Sequence, residues 1–143
     1  MKNLYRTFLI IILINLMLIV ANAQKLGGEW KLIEAKQNGK NVSFGSEIRT
    51  NLIFGEENRI SGNGGCNRYS SAYKLTGKNR IKFEPIISTR MACLEGDFMN
   101  QEATFFEDMK KVEKYQIKGN FLILSDAPKQ NVLRFTRVVK QKQ

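Results

Sequence analysis

An α+β domain, mainly antiparallel β with one α-helix, is the fold class this sequence predicts. Three observations predict it. Apolar residues recur two positions apart in short segments along most of the chain. Clusters of Gly, Asn and Lys separate those segments. One stretch alone, "DFMNQEATFFEDMKKV" at 97–112, changes to helical spacing.

The first element is a leader rather than part of that domain. "MKNLYR" is basic through Lys2 and Arg6, "FLIIILINLMLIV" is apolar from Phe8 to Val20, and "ANA" gives a small-x-small junction before Gln24. This is the pattern of an export signal, residues 1–23, cleaved after Ala23. The apolar run is short for a membrane span, which needs about 20 residues. No cysteine follows the junction, so the expected product is soluble and periplasmic or secreted, with no stable membrane anchor after cleavage.

Removal of 23 of the 143 residues leaves one domain, 24–143, large enough for a true core. Loss of Lys2 and Arg6 lowers the formal charge from +10 to +8. That excess reads first as a solvated basic surface, with anionic lipid head groups and cell-wall polymers as the alternative reading for an exported chain. "NVS" at Asn41–Ser43 is a glycosylation sequon.

The strand units follow in order. Trp30 with Leu32, Leu52 with Phe54, Ile81 with Phe83, Leu122 with Leu124, and Leu133 with Phe135 each place two apolar residues on one face. "QNGKN" at 37–41, "GEEN" at 55–58 and "TGKN" at 76–79 are turn sequences, and "KGN" at 118–120 fits a tight hairpin. Seven to nine short antiparallel strands are expected. They curl into a barrel-like or two-layer sheet, with the helix over one opening or face.

Within the helical stretch Phe98, Phe105, Met109 and Val112 share a face, with Phe106 at its edge. Asp97 suits the N-terminal cap, and Lys110 and Lys111 suit the C-terminal end. Glu102 is out of place on this apolar stripe. A carboxylate there needs a partner, with Arg90 or the backbone of the loop before the helix as the expected one, or else it reaches water from the margin.

Chemistry is sparse. The chain has no histidine, which removes Ser-His-Asp and Cys-His pairs and histidine metal sites. Cys66 and Cys93 form neither a CxxC nor a zinc set. "SGNGG" at 61–65 is no Walker or dinucleotide loop, because a strand and not a helix follows. Glu56 and Glu57 sit in a turn and read as solvated. "NRYSSAYK" interleaves tyrosine with basic residues, but Tyr69 and Tyr73 read as sheet or core tyrosines rather than a nucleic-acid stacking platform. No catalytic residue, metal site or cofactor is expected, and no nucleic-acid partner.

"GGCNRYSSAY" at 64–73, "ISTRMAC" at 87–93 and "KGNFLILSD…VLRFTR" at 118–137, with the helix before the last, together resemble the META domain family, also described as HslJ-like. The resemblance runs from Gly28 to Arg137. Its motif positions here are Gly65, Cys66, Asn67, Tyr69, Tyr73, Thr89, Arg90, Met91, Cys93 and Glu102. It implies a small β-rich fold with a single helix, found in bacterial envelope or secreted proteins. It implies no enzymatic activity, and an association with heat or antibiotic stress. The expected role is therefore a non-enzymatic, stress-associated binding module for an unknown protein or envelope surface component. A small-ligand or lipid carrier and an inhibitor of exported proteases are the alternatives.

Three roles suit Cys66 at first sight: nucleophile, metal ligand or half of a staple. Export to an oxidising compartment and a count of two cysteines predict a structural Cys66–Cys93 disulfide over two buried free thiols. The glycines before Cys66 then let the backbone turn or bulge so that it points across to Cys93.

Overall fold

A computed structural model describes residues 5–14, 26–44, 47–93 and 97–139. Residues 5–14 form helix α1. Ten strands follow: β1 (Gly28–Gln37), β2 (Lys40–Asn41), β3 (Asn51–Phe54), β4 (Arg59–Asn63), β5 (Arg68–Gly77), β6 (Arg80–Phe83), β7 (Ile87–Ser88), β8 (Lys114–Lys118), β9 (Phe121–Ser125) and β10 (Val132–Arg137). Helix α2 (Phe98–Lys111) lies between β7 and β8.

Two expectations change. The described residues hold ten strands, because β2 and β7 are two-residue strands with no apolar pair to announce them. They also hold two helices rather than one, since residues 5–14 are themselves helical. The side chains of α1 are exposed, Phe8 at 63 % and Ile11 at 57 % among them. Among the described residues no helix is long and apolar enough to cross a membrane. The junction after Ala23 lies outside the described residues.

The sheet closes on itself. Neighbours run β10-β9-β8-β6-β5-β4-β3-β1, and β1 pairs back to β10 from Trp30↔Arg137 to Lys36↔Val132. The result is an antiparallel barrel of eight strands, with β2 and β7 as flanking pieces on β1 and β5. A barrel of this size has an interior that side chains can fill. The period-two pairs fill it: Trp30, Leu32, Leu52, Ile81, Leu122, Leu124, Leu133 and Phe135 are all buried there.

The turns work as their sequences predict. Asn38 and Gly39 take left-handed φ values of 51° and 75° between β1 and β2. Gly119, at φ 56°, turns β8 into β9 with Lys118 opposite Phe121. The weakest seam of the barrel is β6–β8, where one residue pair, Arg80↔Lys114, holds the ladder. The chain leaves the barrel at this seam to make β7 and α2 before returning as β8.

Helix α2 covers one end of the barrel. Its Phe105 meets the rings of Tyr69 at the start of β5 and Phe135 on β10, at 5.5 Å and 6.4 Å. Phe105, Met109 and Val112 are buried as the spacing predicts, while Phe98 and Phe106 are half-buried. The stripe also contains two polar residues, Gln101 and Asp108, buried at 0 % and 1 % exposure. Asp97 does not cap the helix with its side chain. Its carboxylate instead accepts a hydrogen bond from the Asn100 side chain. Lys110 and Lys111 occupy the last turn, where they complement the helix dipole.

Candidate functional site

The sequence motif gathers where β4 ends, β5 begins and α2 packs down. Gly64 and Gly65 form the contact surface. A Cβ on Gly64 would sit 2.8 Å from the Phe106 ring and 3.0 Å from Glu102 Cγ. One on Gly65 would sit 2.7 Å from the Phe98 carbonyl oxygen, and Gly65 has φ +136°. These glycines bring the loop against the helix, closer than any side chain permits. That is their main purpose, beyond the turn into β5 that the sequence predicts.

Asn67 is the hub of the cluster and is 3 % exposed. Its backbone N–H donates to Glu102 Oε2 at 2.5 Å, and its Nδ2 donates to Glu102 Oε1 at 2.8 Å and to the Met91 carbonyl at 3.2 Å. Its Oδ1 accepts from Thr89 Oγ1 at 2.9 Å and from the Met91 N–H at 2.8 Å. Its carbonyl accepts the Gly64 N–H at 2.8 Å. An asparagine side chain has two N–H donors and two carbonyl lone pairs, and all four are used here.

Glu102 therefore has a partner, but not Arg90. Both of its carboxylate oxygens are occupied by Asn67, and Arg90 is exposed. The physical reason is reach: Gly64 and Gly65 bring the Asn67 amide directly against the helix, so a neutral residue satisfies both carboxylate oxygens by hydrogen bonding. The backbone that Glu102 engages belongs to the loop before β5, not to the loop before the helix.

Cys66 and Cys93 are bonded, with Cα atoms 5.9 Å apart, inside the range that a disulfide spans. The bond runs parallel to the Asn67 network. Together they tie residues 89–93 to the β4–β5 loop. Tyr69 lies beneath, its hydroxyl donating to the Asn51 carbonyl at 2.9 Å and its ring between Phe105 and Phe106. Burial pushes the Tyr69 hydroxyl far above its ordinary range. Tyr73 is not part of the cluster: it packs edge-on against Phe54 in the core at 5.1 Å. Tyr69 and Tyr73 are each 4 % exposed and offer no stacking face.

A second buried anchor stands beside the motif, and the sequence reading missed it. Gln101 Oε1 accepts the Arg49 N–H at 2.9 Å, and its Nε2 donates to the Glu47 carbonyl at 3.0 Å. Thr50 Oγ1, itself fully buried, lies 3.0 Å from Gln101 Oε1 and 2.9 Å from the Gly64 carbonyl. Gln101 thus fixes the segment before β3 to the helix and to the glycine loop. The available signal was its spacing, four residues before Phe105 and eight before Met109 on the apolar stripe.

The arrangement holds structure together. The two sulfurs are bonded to each other, and the carboxylate of Glu102 faces amide donors. Among the described residues no group of His, Cys, Asp and Glu could hold a metal ion.

A closed antiparallel barrel capped by one helix, with a Gly-Cys-Asn-x-Tyr loop stapled to Thr-x-Met-x-Cys, defines a small barrel-domain class. The sequence profile of the META domain matches residues 23–139, and the chain belongs to this family. No curated protein matches the chain. Among solved structures it is similar to a Burkholderia xenovorans protein determined by NMR, with TM-score 0.67 and 22 % identity over 84 % of this chain and 88 % of that one. It is also similar to a DUF4847 family protein from Bacteroides vulgatus, with TM-score 0.60 and 13 % identity over 81 % and 96 %. At those identities the likeness speaks to the fold alone.

Proposed function

We propose that this chain is an exported META-domain protein that acts without catalysis, as a stress-associated binding module for a component of the cell envelope. The observation that carries the reading is the Cys66–Cys93 disulfide beside a saturated Asn67 hub. A structural disulfide belongs to an oxidising compartment, in line with the leader sequence. The motif residues that would otherwise be candidates for chemistry are consumed in holding α2 on the barrel. Function then falls to the outer surface. The apolar, exposed side chains of α1 suit a leader that a translocation machinery removes.

Two measurements test this. N-terminal sequencing of the protein recovered from its host should begin at Gln24 and find it soluble. Crosslinking capture from the host's envelope extract, before and after heat stress, should give a saturable partner that prior unfolding of the protein abolishes. A full-length chain retained in membranes, or capture that unfolding leaves unchanged, overturns the reading.

A further inference from the structure

Five cationic side chains gather at the weak β6–β8 seam. A recess of about 500 Å³ opens there on the outer surface of the barrel. Lys78 of the β5–β6 turn, Arg80 of β6, Lys114 and Lys118 of β8, and Lys129 of the β9–β10 turn rim it. None of the described residues that line it is acidic. Half-buried Ile123 and Val132 contribute to its floor.

Most of these cations are uncompensated. Arg80 reaches Glu113 at 3.7 Å, and Lys114 Nζ lies 3.4 Å from the Ala127 carbonyl. Lys78, Lys118 and Lys129 form no ion pair among the described residues. Lys129 also has a left-handed φ of 58°, a conformation that Gly or Asn adopts at lower cost. A lysine at this position puts an ammonium at the rim where an asparagine would only turn the chain.

The geometry selects among anions. Lys114 and Lys118 lie on one face of β8, about 13 Å apart along the strand, so the charges do not converge on one small ion. A lipid surface is disfavoured by shape. Firm membrane docking adds protruding apolar anchors to the attraction of basic residues. The large apolar side chains most exposed on the barrel domain, Ile87, Met91, Met99 and Val139, line no part of this recess. A concave, extended cationic rim fits an extended chain. Lysine ammonium groups act as point charges, which suits phosphate with its high charge per group.

We infer that the β6–β8 recess is a docking groove for a linear, phosphate-bearing polymer. The inference rests on the envelope-binding reading above and names the surface and the partner chemistry. Linear polyphosphate is the probe, titrated into the protein as recovered from its host, with inorganic phosphate and phosphatidylglycerol vesicles alongside.

Binding of a linear polyanion releases its condensed counterions, so affinity should fall steeply with salt. Lys114→Gln with Lys118→Gln should weaken polyphosphate binding about tenfold or more and reduce the salt slope by about two. Lys31→Gln with Lys40→Gln removes the same charge from β1 and β2 and should change affinity by less than about threefold. Absence of polyphosphate binding overturns the inference. So does equal weakening by both variant pairs, or vesicle binding that matches or exceeds that of the polymer. Crosslinking capture with the Lys114/Lys118 variant separates the two readings. Unchanged capture leaves envelope binding standing and removes this groove from it. Polymer binding without any envelope capture keeps the groove and removes the broader reading.

Discussion

Asn67 and Glu102 hold each other at two points: the carboxylate takes the Asn67 backbone N–H at 2.5 Å and its amide Nδ2 at 2.8 Å. Thirty-five residues of chain separate them. The pair joins the β4–β5 loop to the helix that covers the barrel, and everything else in the motif arranges itself around it.

Glu102→Ala should leave two donors of a 3 % exposed residue without acceptors. A buried donor left unsatisfied costs about 1–3 kcal/mol, so a loss of about 2–4 kcal/mol is expected. Because the partner is neutral, this stops short of the penalty for orphaning a buried charge. Glu102→Gln keeps one acceptor and turns a donor against a donor, and should lose about half as much. Urea unfolding measures both. A loss within about 0.5 kcal/mol for Glu102→Ala would show that water replaces the carboxylate.

The glycines give a graded test of close approach. Gly39→Ala meets nothing within 4 Å and bears only its positive φ. About 1 kcal/mol is expected there. Gly64→Ala drives a methyl into the Phe106 ring, which can shift in part, and should cost about 1–3 kcal/mol. Gly65→Ala combines φ +136° with a backbone carbonyl at 2.7 Å that has no freedom to move. It should be the most damaging of the three by thermal unfolding. The reverse order would mean that α2 rides out from the loop at little cost.

The fold was legible in the sequence because period two is enforced by the barrel interior. Trp30/Leu32 and Leu133/Phe135 face inward for the same reason that they alternate. β2 and β7 were not legible, since a two-residue strand has no period. The disulfide was legible from the leader sequence and the count of two cysteines. The partner of Glu102 was not. Sequence reasoning offers a cation to a misplaced carboxylate, and only the fold reveals that two glycines bring an amide closer than Arg90 can come. Gln101 and Asp108 were passed over for a related reason: polar residues on an apolar stripe read as its margin until their buried acceptors and donors are seen.

The staple makes its contribution in the unfolded chain. Its ends are 27 positions apart, and closing a loop of that length is worth about 3.5 kcal/mol by chain entropy. Cys66→Ala with Cys93→Ala should therefore destabilise by up to that amount while the Asn67 bonds keep residues 89–91 docked. The unfolded chain becomes more expanded, so the denaturant m-value should rise. An unchanged m-value with a large loss would place the effect in the native packing instead.

Asp108 predicts a pH dependence of opposite sense to that of most carboxylates. It is 1 % exposed on the helix, with Oδ1 accepting from Gln37 Nε2 at 3.0 Å and Oδ2 without a hydrogen-bond partner. Burial raises its pKa, the Gln37 bond and Lys111 work against that, and Glu107 and Asp126 add to it. An unfolded aspartate titrates at about 3.9. Between that value and the raised one, the folded state holds more proton than the unfolded state. Stability therefore falls as pH rises through this window, and the destabilisation is complete above the folded pKa. Asp108→Asn removes the term and keeps an acceptor for Gln37. The variant's stability relative to wild type should thus improve as pH rises from about 3.5 to 7. Urea unfolding of both proteins across that range reads the difference directly. Parallel stability curves would mean that Asp108 reaches solvent and bears no burial cost.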